Sequence, residues 1–225
     1  MKLLEQQGWH LLLLAVLLVG LYLIVCSDPK FLLGSLWPFH TDGWLIGAIL
    51  VPVAHQLYVV CLWRWELYNK GLTRTFGGKG FRYFKAGFAV LILLRPVTIT
   101  LLSISNAGTL DLLPGVGYAL GILALLPGAY LFYSIKRYFG IDRAFGIDHF
   151  QPETYRDVPM VRKGIFKYSP NAMYVFGFLV LWAPGLLCLS KAGLLAALFN
   201  HLYIWVHYFF TERPDMNRIY GPGRD

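Results

Sequence analysis

Long, continuous apolar runs separated by short polar segments dominate this chain. Each run approaches the roughly 20 residues that an α-helix needs to cross a hydrocarbon core of about 30 Å. Apolar and polar residues do not alternate within the runs, so the pattern favours membrane helices over the strands of a barrel. Six spans are predicted, at Trp9 to Cys26, Trp44 to Trp63, Phe84 to Ile104, Leu112 to Ile135, Ala172 to Leu189 and Ala192 to Phe210.

The polar stretch from Lys136 to Tyr168 interrupts this series before the last two spans. It is too polar to cross a membrane, yet it carries several aromatic residues among its charges, which is typical of a segment lying along the interface. The predicted fold is therefore an all-α polytopic membrane helix bundle. We expect a single membrane domain over residues 1–225, with four spans in 1–135 and the interfacial segment and last helical hairpin in 136–225.

Composition agrees with a membrane protein. The 225 residues are 57% hydrophobic, which excludes an ordinary soluble domain. The first apolar run resembles a secretion signal in position, but Ser27-Asp28-Pro29 is a poor match to a small-residue cleavage site, so we expect this run to stay as a membrane helix. Cys26, Cys61 and Cys188 lie in or beside apolar runs without paired spacing, so no metal site or disulfide is expected.

The distribution of basic residues predicts the orientation. Lys and Arg cluster from Arg64 to Lys85 and from Lys136 to Lys167, and Arg213, Arg218 and Arg224 follow the last span. The positive-inside rule then places both termini in the cytoplasm. The net charge of +8 is mostly this topological signal, with a secondary attraction to an anionic membrane surface. Charges beside spans do not indicate a nucleic-acid partner.

Arg95-Pro96 lies near the middle of the third span, where a charge is costly and a proline removes a backbone hydrogen bond. Such an arginine faces either the phosphate or carboxylate of a bound lipid, or an internal partner such as an ion pair or the carbonyls freed at the proline. His55, which follows Pro52 in the second span, offers the same choice between a ligand contact and a hydrogen bond between helices.

Two further groups of polar residues are candidates for chemistry. Asp148-His149 in the interfacial segment could supply a proton acceptor near a lipid headgroup, the alternative being a solvated loop. In the last span, Asn200, Tyr203 and His207 share one helical face, which Thr211 continues towards Glu212. That face either lines a ligand chamber or forms hydrogen bonds with neighbouring helices.

The segment from Val161 to Tyr168 precedes two apolar runs that end in Glu212-Arg213-Pro214. A glycine before an aromatic residue at a membrane edge, here Gly164-Ile165-Phe166, lets a ligand approach the backbone closely. A carboxylate that returns to the same edge after a helical hairpin can bind polar groups of that ligand. These features indicate a small polar cofactor.

The order of these residues resembles the membrane methyltransferases that include phosphatidylethanolamine N-methyltransferases and isoprenylcysteine carboxyl methyltransferases. The resemblance covers roughly residues 139–221. It rests on Gly164 to Tyr168, on Tyr174, on Glu212-Arg213-Pro214 after the hairpin, and on Tyr220-Gly221. Two positions differ from the usual pattern, because Pro170-Asn171-Ala172 stands in the place of Arg-His-Pro and Arg213 in the place of a second glutamate.

The resemblance implies methyl transfer from S-adenosylmethionine to a lipid within the bilayer, with an aminophospholipid headgroup as the first choice of acceptor. No metal is required. The alternatives are methylation of a prenylcysteine carboxylate, a sterol-reductase-like oxidoreductase and a non-catalytic lipid-binding protein. From the residues and the resemblance together, the candidate catalytic residues are His149, Asp148 and Arg95. The candidate cofactor-binding residues are Gly164, Ile165, Phe166, Asn171, Tyr174, Asn200, His207 and Glu212.

Overall fold

A computed structural model describes residues 2–221 of the chain, so Arg224 of the orientation argument lies outside the described residues. Apart from one two-stranded antiparallel ribbon, β1 (Ser35–Leu36) and β2 (Phe39–His40), the described regular structure is helical. The expected all-α helix bundle is therefore confirmed. The α-helices are α1 (Gln7–Ser27), α2 (Thr41–Asn69), α3 (Gly71–Phe76), α4 (Gly80–Ser105), α5 (Pro114–Ser134), α6 (Ile141–Ala144), α7 (Pro152–Tyr155), α8 (Ala172–Val175), α9 (Trp182–Leu187), α10 (Lys191–His207) and α11 (Arg213–Tyr220).

Five helical stretches in the described residues are long and apolar enough to cross a membrane, as expected for an integral multi-pass membrane protein. They correspond to predicted spans one to four and six, and they are Gln7–Ser27, Thr41–Asn69, Gly71–Ser105, Pro114–Phe139 and Lys191–Tyr220. Continuous hydrophobicity over 20 or more residues is a local property of the chain, which is why these spans could be located from the sequence.

The predicted span from Ala172 to Leu189 corresponds to a shorter apolar helical stretch, Ala172–Leu187, which is not one regular α-helix. The chain forms α8, then a 3₁₀ segment over Gly177–Leu181, then α9, and the whole apolar stretch is shorter than the five long helices. Gly177 and Pro184 weaken the α-helix locally, and a Cβ atom at Gly177 would lie 2.7 Å from Leu131 of α5. The broken helix therefore packs closely against α5.

Helix α10 lies at the centre of the bundle. Its apolar residues pack with those of α1, α2 and α4 in the largest core cluster, which includes Ala48, Ile99, Ala196 and Tyr203. Helix α5 packs against α9, and its glycines Gly117 and Gly121 lie at this contact. A Cβ atom at Gly121 would lie 2.7 Å from Leu187, so this glycine permits the close packing of α5 against α9.

The interfacial segment folds back onto the ends of the long helices. After α5 the chain continues as a π-helical turn over Ile135–Phe139, and short helices and 3₁₀ turns follow up to Gly164–Lys167. Arg143, Asp148 and His149 are all buried in this segment. It is therefore part of the folded core at one end of the bundle, and the alternative of a solvated loop for Asp148-His149 is wrong.

Candidate active site

A cavity of about 550 Å³ lies between α2, α4, α5, α10 and the interfacial segment. Aromatic and aliphatic side chains form most of its wall, including Phe88, Leu131 and Phe178. Leu93 of α4 and Phe132 of α5 also line it, although 65% and 67% of their surface is exposed to the outside. The cavity therefore reaches the outer surface between α4 and α5, and this opening faces lipid because both residues lie in apolar spans.

Asp148 lines the end of the cavity at the interfacial segment. Its Oδ2 atom accepts a hydrogen bond of 3.0 Å from the Tyr220 hydroxyl, and that hydroxyl accepts one of 3.2 Å from Arg143 Nη2. Burial raises the pKa of Asp148, but hydrogen bonds from His149 and Tyr220 and the charge of Arg143 outweigh burial, so the pKa is held below its usual value. The carboxylate is therefore ionised at neutral pH.

His149 is adjacent to the cavity but does not line it. Its Nδ1 atom lies 3.1 Å from Asp148 Oδ1, and its ring stacks on Trp63 with the two ring centroids 4.0 Å apart. On the other side, Nε2 lies 3.9 Å from Asp215 Oδ2. The two residues of the predicted Asp148-His149 pair therefore have different positions. The Asp148 carboxylate faces the cavity, whereas the His149 imidazole lies outside it and contacts Asp148.

Glu212 lies on the cavity wall, at the end of a π-helical turn over Tyr208–Glu212. It accepts a hydrogen bond from the hydroxyl of Tyr174, which also lines the cavity. The extra residue in a π turn rotates the following side chains relative to a regular α-helix, so this turn sets the direction of Glu212. Two carboxylates, Asp148 and Glu212, are thus each held by a tyrosine at the same cavity.

Two more of the predicted cofactor-binding residues reach this cavity. Phe166 is buried and stacks on Phe139, with ring centroids 4.9 Å apart. Asn171 precedes α8 and also lines the cavity. Its amide offers both a donor and an acceptor of hydrogen bonds at the position where the usual family pattern has histidine.

Gly164 and Ile165 do not line the cavity, which corrects the expectation that a ligand approaches the backbone at this glycine. Gly164 has φ +60°, and a Cβ atom there would lie 2.6 Å from Ser134 Oγ and 2.9 Å from Tyr138. Ile165 is buried, and its N–H donates to Ser134 Oγ at 3.0 Å. The glycine is therefore required by close packing against the end of α5, and Phe166 alone of the three faces the cavity.

Gly164→Ala should lower the free energy of unfolding by roughly 2–5 kcal/mol, because the left-handed backbone costs about 1–2 kcal/mol and overpacking about 1–3 kcal/mol. Gly108→Ala is the control, since Gly108 also has a positive φ, +75°, but no atom within 4 Å of its Cβ position. Denaturant unfolding of both variants in detergent separates the two causes. Equal losses for the two variants would show that crowding at Ser134 contributes nothing.

The polar face of α10 is divided between two environments. His207 lines the cavity, but Asn200 and Tyr203 do not. Asn200 donates to the carbonyl of Ala196 at 2.9 Å, and the Tyr203 hydroxyl pairs with His10 Nε2 of α1 at 3.0 Å. The chamber predicted along this whole face is therefore limited to its end at His207 and Glu212, and the rest of the face bonds to its own and neighbouring helices.

Arg95 is buried, and its side chain lines the cavity. None of its three guanidinium nitrogens has a hydrogen-bond partner within residues 2–221, so the alternative of an internal partner is not found there. The guanidinium carbon lies 5.4 Å from the centre of the Phe178 ring. His55 and Gln56 of α2 line the same cavity, and both ring nitrogens of His55 and the amide nitrogen of Gln56 also lack partners in this part of the chain.

A sequence model of one protein family, described as phospholipid methyltransferase, matches residues 116–223 of this chain. This stretch, just under half of the chain, is therefore similar to the phospholipid methyltransferase family. Among curated proteins, the phosphatidylethanolamine N-methyltransferase of Saccharomyces cerevisiae is 33% identical over 66 residues, and that of Candida tropicalis is 29% identical over 66 residues. That of Scheffersomyces stipitis is 27% identical over the same length.

These matches cover a small part of the relatives. Each spans 29% of this chain and 8% of the relative, so the matched stretch represents a minor share of those proteins. No solved structure matches the chain. The similarity to phospholipid methyltransferases therefore concerns residues 116–223 and says nothing about α1, α2 and α4.

The phospholipid methyltransferase region supplies α5, the interfacial segment and the last hairpin. It contains Asp148, Asn171 and Glu212, together with the tyrosines that hold the two carboxylates. The opposite wall of the cavity, with His55, Gln56 and Arg95, comes from α2 and α4, outside the matched residues. The cavity thus joins a family-defined wall to one that belongs to the first half of this chain.

Sequence reasoning missed several residues that line or support this cavity. Tyr220 was expected only as part of a terminal motif, and Gln56 was not expected at all, although a glutamine next to a histidine in an apolar run is itself a signal. Asp215 lies against His149 and Arg64, which no local pattern indicates. Within residues 2–221, no group of three or more His, Cys, Asp and Glu side chains is placed to hold a metal ion.

Proposed function

We propose that this chain is a membrane-embedded methyltransferase that transfers a methyl group from S-adenosylmethionine to the amino headgroup of a phospholipid. The observation that carries the proposal is a cavity open towards lipid whose wall bears two carboxylates, Asp148 and Glu212, each held by a tyrosine. The similarity of residues 116–223 to phospholipid methyltransferases supports the same class of reaction.

The residues at the Glu212 side of the cavity suit S-adenosylmethionine. When bound, this cofactor supplies a methyl group on a positively charged sulfur. A volume of about 550 Å³ lies within the range of about 300–1,000 Å³ that small-molecule sites occupy. Glu212 would hold the polar, cationic end of the cofactor, Asn171 would offer hydrogen bonds, and Phe166 with Tyr174 would provide aromatic surface.

Asp148 suits the acceptor amine. Because its pKa is held below the usual value, it is ionised at neutral pH and attracts an ammonium group. Attack on a methyl group requires the neutral amine, so the ammonium loses its proton to water before attack, and the carboxylate, whose lowered pKa makes it a weak base, attracts and positions the amine. His149 fixes one oxygen of Asp148 and Tyr220 the other, so these two residues orient the carboxylate towards the cavity.

Access routes for two different ligands support the proposal. The opening between α4 and α5 suits a lipid that enters from the bilayer. A surface depression of about 710 Å³ lies beside the cavity, and Phe139, Ile141, Arg143 and Val161 line both. Lys85 and Lys136 at this depression suit anionic groups at the membrane surface. We infer from the basic segments that this end, and both termini, face the cytoplasm.

Methyl transfer from labelled S-adenosylmethionine tests the proposal. The purified protein in detergent is incubated with phosphatidylethanolamine, with a prenylcysteine acid or with a sterol, and the labelled product is separated by chromatography. We expect label in the aminophospholipid. Label in the prenylcysteine acid would replace the proposed acceptor, and absence of both label and cofactor binding would favour a non-catalytic lipid-binding protein.

A further inference from the structure

The part of the cavity formed by the first half of the chain is a cluster of hydrogen-bond donors. Arg95 carries a permanent positive charge, and Gln56 adds an amide N–H₂ group. His55 and His207 line the same region, and each has at least one ring nitrogen without a partner in residues 2–221. Buried polar groups are normally paired, so a group of unpaired donors around one cavity indicates a ligand that accepts hydrogen bonds.

The charge of Arg95 narrows the chemistry of this ligand. None of the salt bridges among residues 2–221 involves Arg95, and only 1% of the residue is exposed. The Phe178 ring offers a cation–π contact, which is weak compared with the cost of burying an unpaired charge. An oxyanion of a phosphodiester or carboxylate would match both the charge and the planar fork of the guanidinium.

The position of Arg95 favours a lipid over the water-soluble cofactor as the source of this oxyanion. Arg95 lies about midway along the apolar run from Phe84 to Ile104, at roughly 1.5 Å of helix rise per residue about 16 Å beyond Phe84. Leu93, two residues earlier, lies at the opening towards the bilayer. The two carboxylates assigned to the amine and the cofactor lie on other elements.

We propose that Arg95, with Gln56 and His55, binds the oxyanion of the acceptor lipid and restricts acceptors to amphiphiles that carry one. This inference rests on the proposed function, and it specifies the class of acceptor substrate, namely a lipid that carries an oxyanion. A neutral lipid of the same chain length lacks the group that pairs with Arg95. The wall formed by α2 and α4 thus selects the acceptor, while the family-defined wall holds the reacting groups.

Lipid binding to purified protein in detergent tests the assignment without requiring turnover. We expect Arg95→Met to weaken binding of phosphatidylethanolamine or of a prenylcysteine acid about 10- to 100-fold, the loss typical of a hydrogen-bonded charge. Binding of diacylglycerol with matched acyl chains should not change. Arg82→Met is the matched control, because Arg82 is exposed at the start of α4.

The melting temperature without lipid is a second measurement, and it distinguishes a lipid-binding role of Arg95 from a structural one. Removal of a buried guanidinium without a partner should leave the melting temperature unchanged or raise it, whereas loss of a structural partner would lower it. Arg95→Lys keeps the charge but loses the planar fork, so it should fold and bind the oxyanion lipid about 10-fold more weakly than wild type.

The outcomes separate this inference from the proposed function. A loss confined to phosphatidylethanolamine assigns the phosphodiester, and a loss confined to the prenylcysteine acid assigns the carboxylate. Unchanged binding of both lipids by Arg95→Met would overturn the inference, as would an equal loss of diacylglycerol binding. A loss of S-adenosylmethionine binding in calorimetry with lipid binding intact would also overturn it, because the oxyanion would then be the cofactor's carboxylate. Absence of methyl transfer with Arg95-dependent lipid binding would overturn only the proposed reaction.

Discussion

Glu212→Gln is expected to weaken S-adenosylmethionine binding by about 10- to 100-fold while the protein stays folded. The substitution keeps the size of the side chain and removes its charge, and hydrogen bonds that involve a charged group contribute about 1.5–3 kcal/mol. Tyr174→Phe should give a smaller loss, because it removes the hydroxyl that donates to Glu212 but leaves the carboxylate in place. Calorimetric titration of the detergent-solubilised variants with S-adenosylmethionine measures both effects.

Glu153→Gln is the control for this series. Glu153 pairs with Arg156 on the exposed surface, with 77% of its side chain accessible, so neutralising it should leave cofactor affinity unchanged. Thermal unfolding of each variant without ligand shows whether folding is intact. Wild-type affinity in folded Glu212→Gln would remove Glu212 from the proposed cofactor site, whereas the assignment of Asp148 to the acceptor would not be affected.

The long helices were predictable from the sequence because the signal is local. A continuous apolar run of about 20 residues specifies a span whatever the rest of the chain does. The break near Gly177 and Pro184 was not predicted, although both residues are visible in the sequence. Many membrane helices tolerate Gly and Pro, and here the outcome depends on the close contact between Gly177 and Leu131 of another helix.

The candidate site was predictable where residue type alone limits the environment. A charged residue in the middle of a membrane span needs a polar partner or a cavity, and Arg95 is buried and lines one. Glu212 at the end of the hairpin lines the same cavity. The sequence could not show that Gly164 packs against the end of α5, because a glycine that allows a ligand to approach and one that allows a helix to approach have the same sequence signal. Likewise, the sequence could not show that Tyr203 on the polar face of α10 pairs with His10, because the two residues are 193 positions apart in the chain.

Arg64→Met is expected to lower the free energy of unfolding by about 3–5 kcal/mol, the cost of leaving a buried charge without its partner. Arg64 and Asp215 are both buried, and Arg64 Nε lies 3.4 Å from Asp215 Oδ2. The same guanidinium donates to the carbonyls of Glu5 at 2.7 Å and Phe210 at 3.3 Å. It therefore connects the N-terminal segment and α2 to the last helices of the bundle.

A double-mutant cycle separates the ion pair from the other contacts of Arg64. Arg64→Met combined with Asp215→Leu should recover part of the loss, because the second change removes the uncompensated carboxylate. Arg156→Met on the exposed surface should cost less than about 1 kcal/mol. Losses that simply add in the double variant would contradict coupling between Arg64 and Asp215.

Because Asp215 belongs to α11, the helix that also carries Tyr220, loss of this pair should release Tyr220 from Asp148 and reduce methyl transfer even under conditions where the protein remains folded.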